Sequence, residues 1–102
     1  SLSGGEDFIG HGSHVAAIGV GNEIGFGSSP APLFPIAGIA PCAQAITYKV
    51  CDNNICDVDT ITSGIEAAIR DEVDILNASL SGGLDPWNDI DRALLAADAV
   101  GI

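Results

Sequence analysis

The stretches AITYKV (residues 45–50) and VDILNAS (residues 73–79) flank the segment CDNNICDVDTITSGIEAAIRDE (residues 51–72). Both outer stretches are short and apolar, which is typical of buried strands. Between them, Asp57 is a plausible N-cap for a helix that runs to about Arg70. Its apolar residues recur at helical spacing, namely Val58, Ile61, Ile65, Ala68 and Ile69. The order strand, helix, strand predicts a βαβ unit with a right-handed crossover in a parallel sheet, and therefore an α/β fold.

Two further helices are predicted outside this unit. The first runs from about Gly10 to Val20 and ends at the glycines that follow. The second is capped by Asn88 and places Ile90, Leu94 and Ala97 on one face. Residues 22–41 are rich in Gly, Pro and Ser and are predicted to form a loop of about 20 residues, a length typical of functional or partner-covered loops.

Composition narrows the class of protein. The 102 residues suit one domain, and an apolar fraction of 47% with 17% charged residues is too hydrophobic for disorder. A net charge of −11, from 14 acidic and 3 basic residues, argues against nucleic-acid binding, since phosphate contacts need Lys and Arg. No apolar run approaches the roughly 18 residues of a membrane span, and no signal peptide is visible. We expect no membrane partner and no cofactor.

Candidate chemistry lies at two places. The tetrapeptide His11-Gly12-Ser13-His14 opens the first helix, and a histidine there is a candidate general base because its ordinary pKa lies near neutrality. His11 and His14 share a helix face and could instead hold a metal, but no third ligand can be named and no metal site is expected. Ser79 to Gly83 follow a predicted strand, and ligands in open α/β sheets bind beyond the carboxyl ends of strands.

Four motifs in order resemble the subtilisin-like serine proteases. They are H-G-S-H (residues 11–14), G-I-A-P (38–41), A-I-T-Y-K-V-C (45–51) and V-D-I-L-N-A-S-L-S-G-G (73–83). The long connection after the first motif and the Cys51/Cys56 pair resemble the plant branch. The resemblance implies a parallel-sheet sandwich with helices on both faces, secretion, and hydrolysis of an extended peptide or protein substrate. It assigns His11 as the catalytic base of an Asp-His-Ser triad, and Ser79, Leu80, Ser81 and Gly82 as the substrate-binding strand.

The chain also departs from the family pattern. No D-[ST]-G motif precedes His11, no G-T-S-[MA]-[AS] motif follows it, and Ser81 stands where the family has a glycine. We therefore expect residues 1–102 to be a partial peptidase domain that supplies only the triad histidine and is inactive alone. Its partner would be the remainder of the protease domain. The alternative is a truncated, non-catalytic binding or regulatory domain derived from a subtilase.

Several other polar residues have competing interpretations. Cys51 and Cys56 enclose a turn-rich loop and are either disulfide-bonded, as a secreted relative suggests, or free; Cys42 is left over as a free thiol. His14 is interpreted as structural, and Asp7 as a solvated loop acid, although its position is often acidic in the family. Asn77 is expected to be buried and to support the site by hydrogen bonding. A buried strand would also hide its Asn-Ala-Ser glycosylation pattern.

Overall fold

The helices of the chain lie where the periodicity predicts them. The computed structural model describes residues 5–25, 35–52, 55–81 and 87–102. These residues form helix α1 from His11 to Val20, helix α2 from Val58 to Arg70 and helix α3 from Asp89 to Ala99. They divide into two compact units, one from Glu6 to Thr47 and one from Tyr48 to Ile102 that also takes in Gly5.

The second unit is organised by the packing of α2 on α3. Each helix turns its apolar stripe inward, which removes that surface from water. The side chains buried between α2 and α3 are Ile61, Ile65, Ile90, Ala93 and Ala97. Partly buried apolar side chains from the two helices, from the segments before and after α2, and from the last residue of the chain pack against them. The predicted inward face of α2 is confirmed except at its first residue, because Val58 is 45% exposed.

Both stretches that flank α2 contact this core. Val50 from the first stretch and Leu76 from the second pack against the buried cluster. Gly64 allows the close approach on α2, since a Cβ placed there would lie 2.5 Å from Val50 Cγ1. At the other end of α2, the Tyr48 hydroxyl donates a hydrogen bond of 2.6 Å to Asp71 Oδ2. That bond to the carboxylate raises the pKa of Tyr48.

The predicted parallel sheet is only partly supported. The three helices agree with an α/β fold, but the described residues contain no β-strand, and residues 45–50 and 73–79 do not form one. The bridges found are isolated antiparallel pairs, Ile24 with Ile36 and Asp52 with Ile55. A parallel strand is held by neighbouring strands, so contact with helices alone does not establish one. The βαβ crossover therefore stays a prediction.

Helices α2 and α3 end in the same way. After α2, Val73 N–H bonds to Ala68 O at 3.4 Å and Glu72 N–H to Ile69 O at 3.2 Å. After α3, Ile102 N–H bonds to Ala97 O at 3.1 Å and Gly101 N–H to Asp98 O at 3.0 Å. This is the Schellman arrangement, which needs a left-handed residue just beyond the helix. Gly101 has φ 92° there, whereas α2 uses Glu72 at φ 54°.

In the first unit the chain returns to the carboxyl end of α1. Gly38, Ile39 and Ala40 donate backbone hydrogen bonds of 2.8, 3.0 and 2.8 Å to carbonyls of Gly21, Ile18 and Gly19. A Cβ at Gly38 would lie 2.4 Å from the backbone nitrogen of Gly21, so only glycine fits. The last carbonyls of a helix have no partner within the helix. The G-I-A-P motif therefore supplies partners for carbonyls in the last turn of α1 and at its C-cap.

Candidate active site

His11 is the first residue of α1 and is exposed. The helix starts there because Gly10 adopts a left-handed conformation, with φ 86° and ψ −8°. This conformation is strained for residues that carry a Cβ and is adopted freely by glycine. The first helical hydrogen bond runs from His14 N–H to Gly10 O at 3.0 Å. Glycine at position 10 thus sets the direction in which the chain enters the helix at His11.

Asp7 caps the amino end of α1. Its Oδ1 accepts hydrogen bonds from the N–H groups of Ile9 at 3.2 Å and Gly10 at 2.9 Å. Its Oδ2 accepts one from Ser13 N–H at 2.7 Å. Gly10, the N-cap residue, has no side chain to offer, so Asp7 satisfies one of the helix's unpaired N–H groups in its place. The carboxylate also lies over Gly12, where a Cβ would be 3.5 Å from Oδ2.

These bonds shift the ionisation of Asp7. The backbone N–H of Ser13 has the largest effect, followed by the Ser13 side chain and the N–H of Gly10. Together they lower the pKa of Asp7 from 3.8 to about 2, because they stabilise the charged carboxylate. Asp7 is exposed and lies before the helix, as expected for a solvated loop acid, but that interpretation missed its capping hydrogen bonds. Asp-x-x-Gly before a helix was the available signal, since Asp side chains cap nearby backbone N–H groups.

His14 lies one turn after His11 and is exposed, so no burial supports a structural role for it. Among the residues that the structure describes, no group of three or more His, Cys, Asp or Glu side chains could hold a metal ion. The two histidines thus have no third protein ligand within that part of the chain.

The predicted substrate strand lies in the other unit. Ser79, Leu80 and Ser81 are exposed, with Leu80 40% accessible, and Gly82 lies outside the described residues. Asn77 Nδ2 donates a hydrogen bond of 3.1 Å to Ser79 Oγ. Asn77 is exposed rather than buried, which corrects the expectation from the apolar run around it. The hydrogen bond nevertheless links Asn77 to the first residue of the candidate segment.

Of the cysteines, Cys51 and Cys56 form a disulfide, with their Cα atoms 4.2 Å apart. Cys42 is free and exposed. The antiparallel pair Asp52 and Ile55 closes the small loop between the bridged residues. None of the described helices is long and apolar enough to cross a bilayer.

Comparison with known proteins decides the family. A model described as the subtilase family matches residues 3–100. The chain belongs to the subtilase family. Among its relatives in Arabidopsis thaliana, Subtilisin-like protease SBT4.4 is 38% identical over 72% of this chain and 10% of its own length. Subtilisin-like protease SBT4.6 is 36% identical over 91% of this chain and 13% of its own length.

A third relative, Subtilisin-like protease SBT1.2 from the same plant, is 38% identical over 81% of the chain and 11% of its own length. This subtilase chain thus spans about a tenth of the length of the relatives it matches. No solved structure matches it. The resemblance to plant subtilisin-like proteases drawn from the four motifs is confirmed.

Proposed function

We propose that this subtilase chain is part of a secreted serine endopeptidase, in which His11 is the base of the Asp-His-Ser triad. The observation that carries the proposal is the position of His11: it is an exposed residue that opens α1 within a matched subtilase segment. An imidazole at such a place can reach a substrate. The entry turn around it is fixed by Gly10 and by the carboxylate of Asp7.

The chemistry requires three side chains. His11 would take the proton from a serine hydroxyl as the serine attacks the peptide carbonyl, and would then return it to the leaving amine. The orienting aspartate, the serine nucleophile and the oxyanion-hole donors would come from outside residues 1–102. Their share of the rate enhancement is large, which is why the segment alone is proposed to be inactive.

Substrate binding is assigned to Ser79, Leu80, Ser81 and Gly82. An extended peptide would lie beside this segment and pair with its backbone, as in β-strand addition. Exposure of Ser79 to Ser81 supports this, because an edge that receives a peptide has to be accessible. Ser81, in place of the family's glycine, would add a hydroxymethyl group to the groove.

Two further observations support secretion and the association of this chain with more protein. The Cys51–Cys56 disulfide is typical of an oxidising compartment and supports secretion. Large apolar side chains are exposed in both units, such as Ile39 at 88% and Ile75 at 84%. Side chains this large and this exposed would be removed from water if other protein covered them. We assign that cover to the remainder of the protease domain.

The test is a chimera in which this chain replaces the matched segment of SBT4.6. We expect the chimera to cleave peptides, and His11→Ala to lower kcat about a thousandfold or more without unfolding the protein. His14→Ala is the control on the same helix and is expected to retain most of kcat. A His11→Ala chimera with parental kcat would overturn the assignment. A folded but inactive parent chimera would favour the binding or regulatory domain instead.

A further inference from the structure

We propose that Asp7 is a positioning residue for the protease reaction, holding the turn that sets the imidazole of His11. The inference rests on the proposed role of His11 as the triad base, and it assigns Asp7 a function in kcat rather than in substrate binding. Asp7 acts through the backbone of residues 9–13 and is not itself proposed to touch the substrate.

Geometry carries the first step. The three N–H groups bound by Asp7 lie on both sides of His11, at Ile9 and Gly10 before it and at Ser13 after it. A single rigid carboxylate therefore bridges the entry turn and the first turn of α1. Since His11 lies between these contacts, the bridge restrains the φ and ψ angles of His11 from both sides. Removal of the bridge frees the backbone from which the imidazole projects.

The second step concerns which side chain can do this. A carboxylate has two acceptor oxygens and no donor when ionised, and Asp7 uses both. Asparagine would keep one acceptor, but its amide nitrogen would face a backbone donor. Ser13 N–H or the pair at Ile9 and Gly10 would then lose its partner. Because its pKa is about 2, Asp7 stays charged wherever a histidine base works.

The activity test uses the SBT4.6 chimera. Asp7→Ala is expected to lower kcat about 10- to 100-fold, since small misplacement of a catalytic group costs that much, while KM changes less than about twofold. Asp7→Asn should fall between the parent and the alanine variant. Glu23→Ala is the control: it removes one exposed acid beyond the other end of α1 and should leave kcat unchanged.

A double substitution separates positioning from general damage. If Asp7 acts through His11, then Asp7→Ala should have no further effect on the residual activity of the His11→Ala chimera. An equal loss in both backgrounds would overturn the proposal. Loss of activity in His11→Ala together with parental kcat in Asp7→Ala would overturn this inference alone. Full activity in His11→Ala would instead overturn the proposed function.

A second measurement on the 102-residue chain keeps the test independent of the chimera's folding. In Asp7→Ala we expect the Ser13 amide to exchange faster and the order parameter of the His11 ring to fall, whereas the amides of α2 and α3 keep their protection. Unchanged order of the His11 ring, measured by carbon relaxation, would overturn the proposal whatever the chimera does.

Discussion

A carboxylate that accepts several N–H groups in the folded state binds its proton less tightly than it does in the unfolded chain. Asp7 is such a group, with a pKa of about 2 against an ordinary value of 3.8. Since the folded pKa is the lower one, its stabilising contribution is fully present above about pH 4. It is lost as the pH falls from there through 2. The amino end of α1 is therefore expected to loosen in acid before the α2–α3 core does.

The measurement is a carbon-detected NMR titration of the Asp7 carboxyl, followed together with the Ser13 amide. We expect a midpoint near 2 for Asp7 and a parallel change at Ser13. The matched comparison is Glu23→Ala, which removes an exposed acid beyond the other end of α1 and should leave the change at the Ser13 amide as it is in the parent. A midpoint for Asp7 near 3.8 would show that the capping bonds do not form in solution.

The sequence predicts some of the residues of the candidate site and misses others. Imidazole chemistry and the H-G-S-H spacing both indicate His11 as the candidate base, and that role stays a prediction. The Asp-x-x-Gly spacing was a signal for Asp7, but it does not by itself separate a capping acid from a solvated one. The difference depends on the left-handed conformation of Gly10, which brings three N–H groups to one carboxylate. Burial of Asn77 was overestimated because the apolar run around it was assumed to be covered on both faces.

The ends of α2 and α3 differ in the residue that adopts the left-handed conformation. The left-handed position after α2 carries Glu72, and the equivalent position after α3 carries Gly101. A residue with a Cβ is strained there by about 1–2 kcal/mol, partly offset by the greater freedom that glycine has in the unfolded chain. We expect Glu72→Gly to raise the free energy of unfolding of the α2–α3 unit by about 1 kcal/mol. Gly101→Glu should lower it by about as much.

Urea unfolding followed by residue-resolved NMR on α2 and α3 measures both variants. Ala96→Gly supplies the comparison for composition, because it adds a glycine at an exposed position inside α3 and should destabilise by about 1 kcal/mol. If Glu72→Gly also destabilises, the Schellman geometry after α2 is not the one adopted in solution.

Among the described elements, the three predicted helices are confirmed, and the two predicted strands stay a prediction. Apolar spacing in residues 57–70 and the cap at Asn88 are local signals, and the structure confirms them: Asn88 Oδ1 accepts the N–H of Asp91 at 3.0 Å. Strands depend on partners distant in sequence. Residues 45–50 and 73–79 pack Val50 and Leu76 on the helices, but no described residue pairs with them in a ladder.

For the whole molecule, the proposed division of the triad leads to a direct test. The 102-residue chain carries no G-T-S motif for a nucleophilic serine, although it has several serines. A serine-directed fluorophosphonate is therefore expected to leave the purified chain unlabelled, as judged by intact mass. The parent SBT4.6 chimera, treated in parallel, should take up one label. Stoichiometric labelling of a single serine in the 102-residue chain would contradict the division proposed here.

The backbone bonds that bring the chain back to α1 affect how freely the length of the preceding segment can change in evolution. Ile24 and Ile36 exchange two backbone hydrogen bonds of 2.9 and 3.2 Å, and Gly38 to Ala40 then bind the end of the helix. These two bonds hold Ile24 and Ile36 side by side, whatever the length of the chain between them. Each doubling of a flexible loop costs only about 0.6 kcal/mol. Changes in the length of the chain between Ile24 and Ile36 during evolution would therefore cost little, and α1 would keep its bonds to Gly38, Ile39 and Ala40.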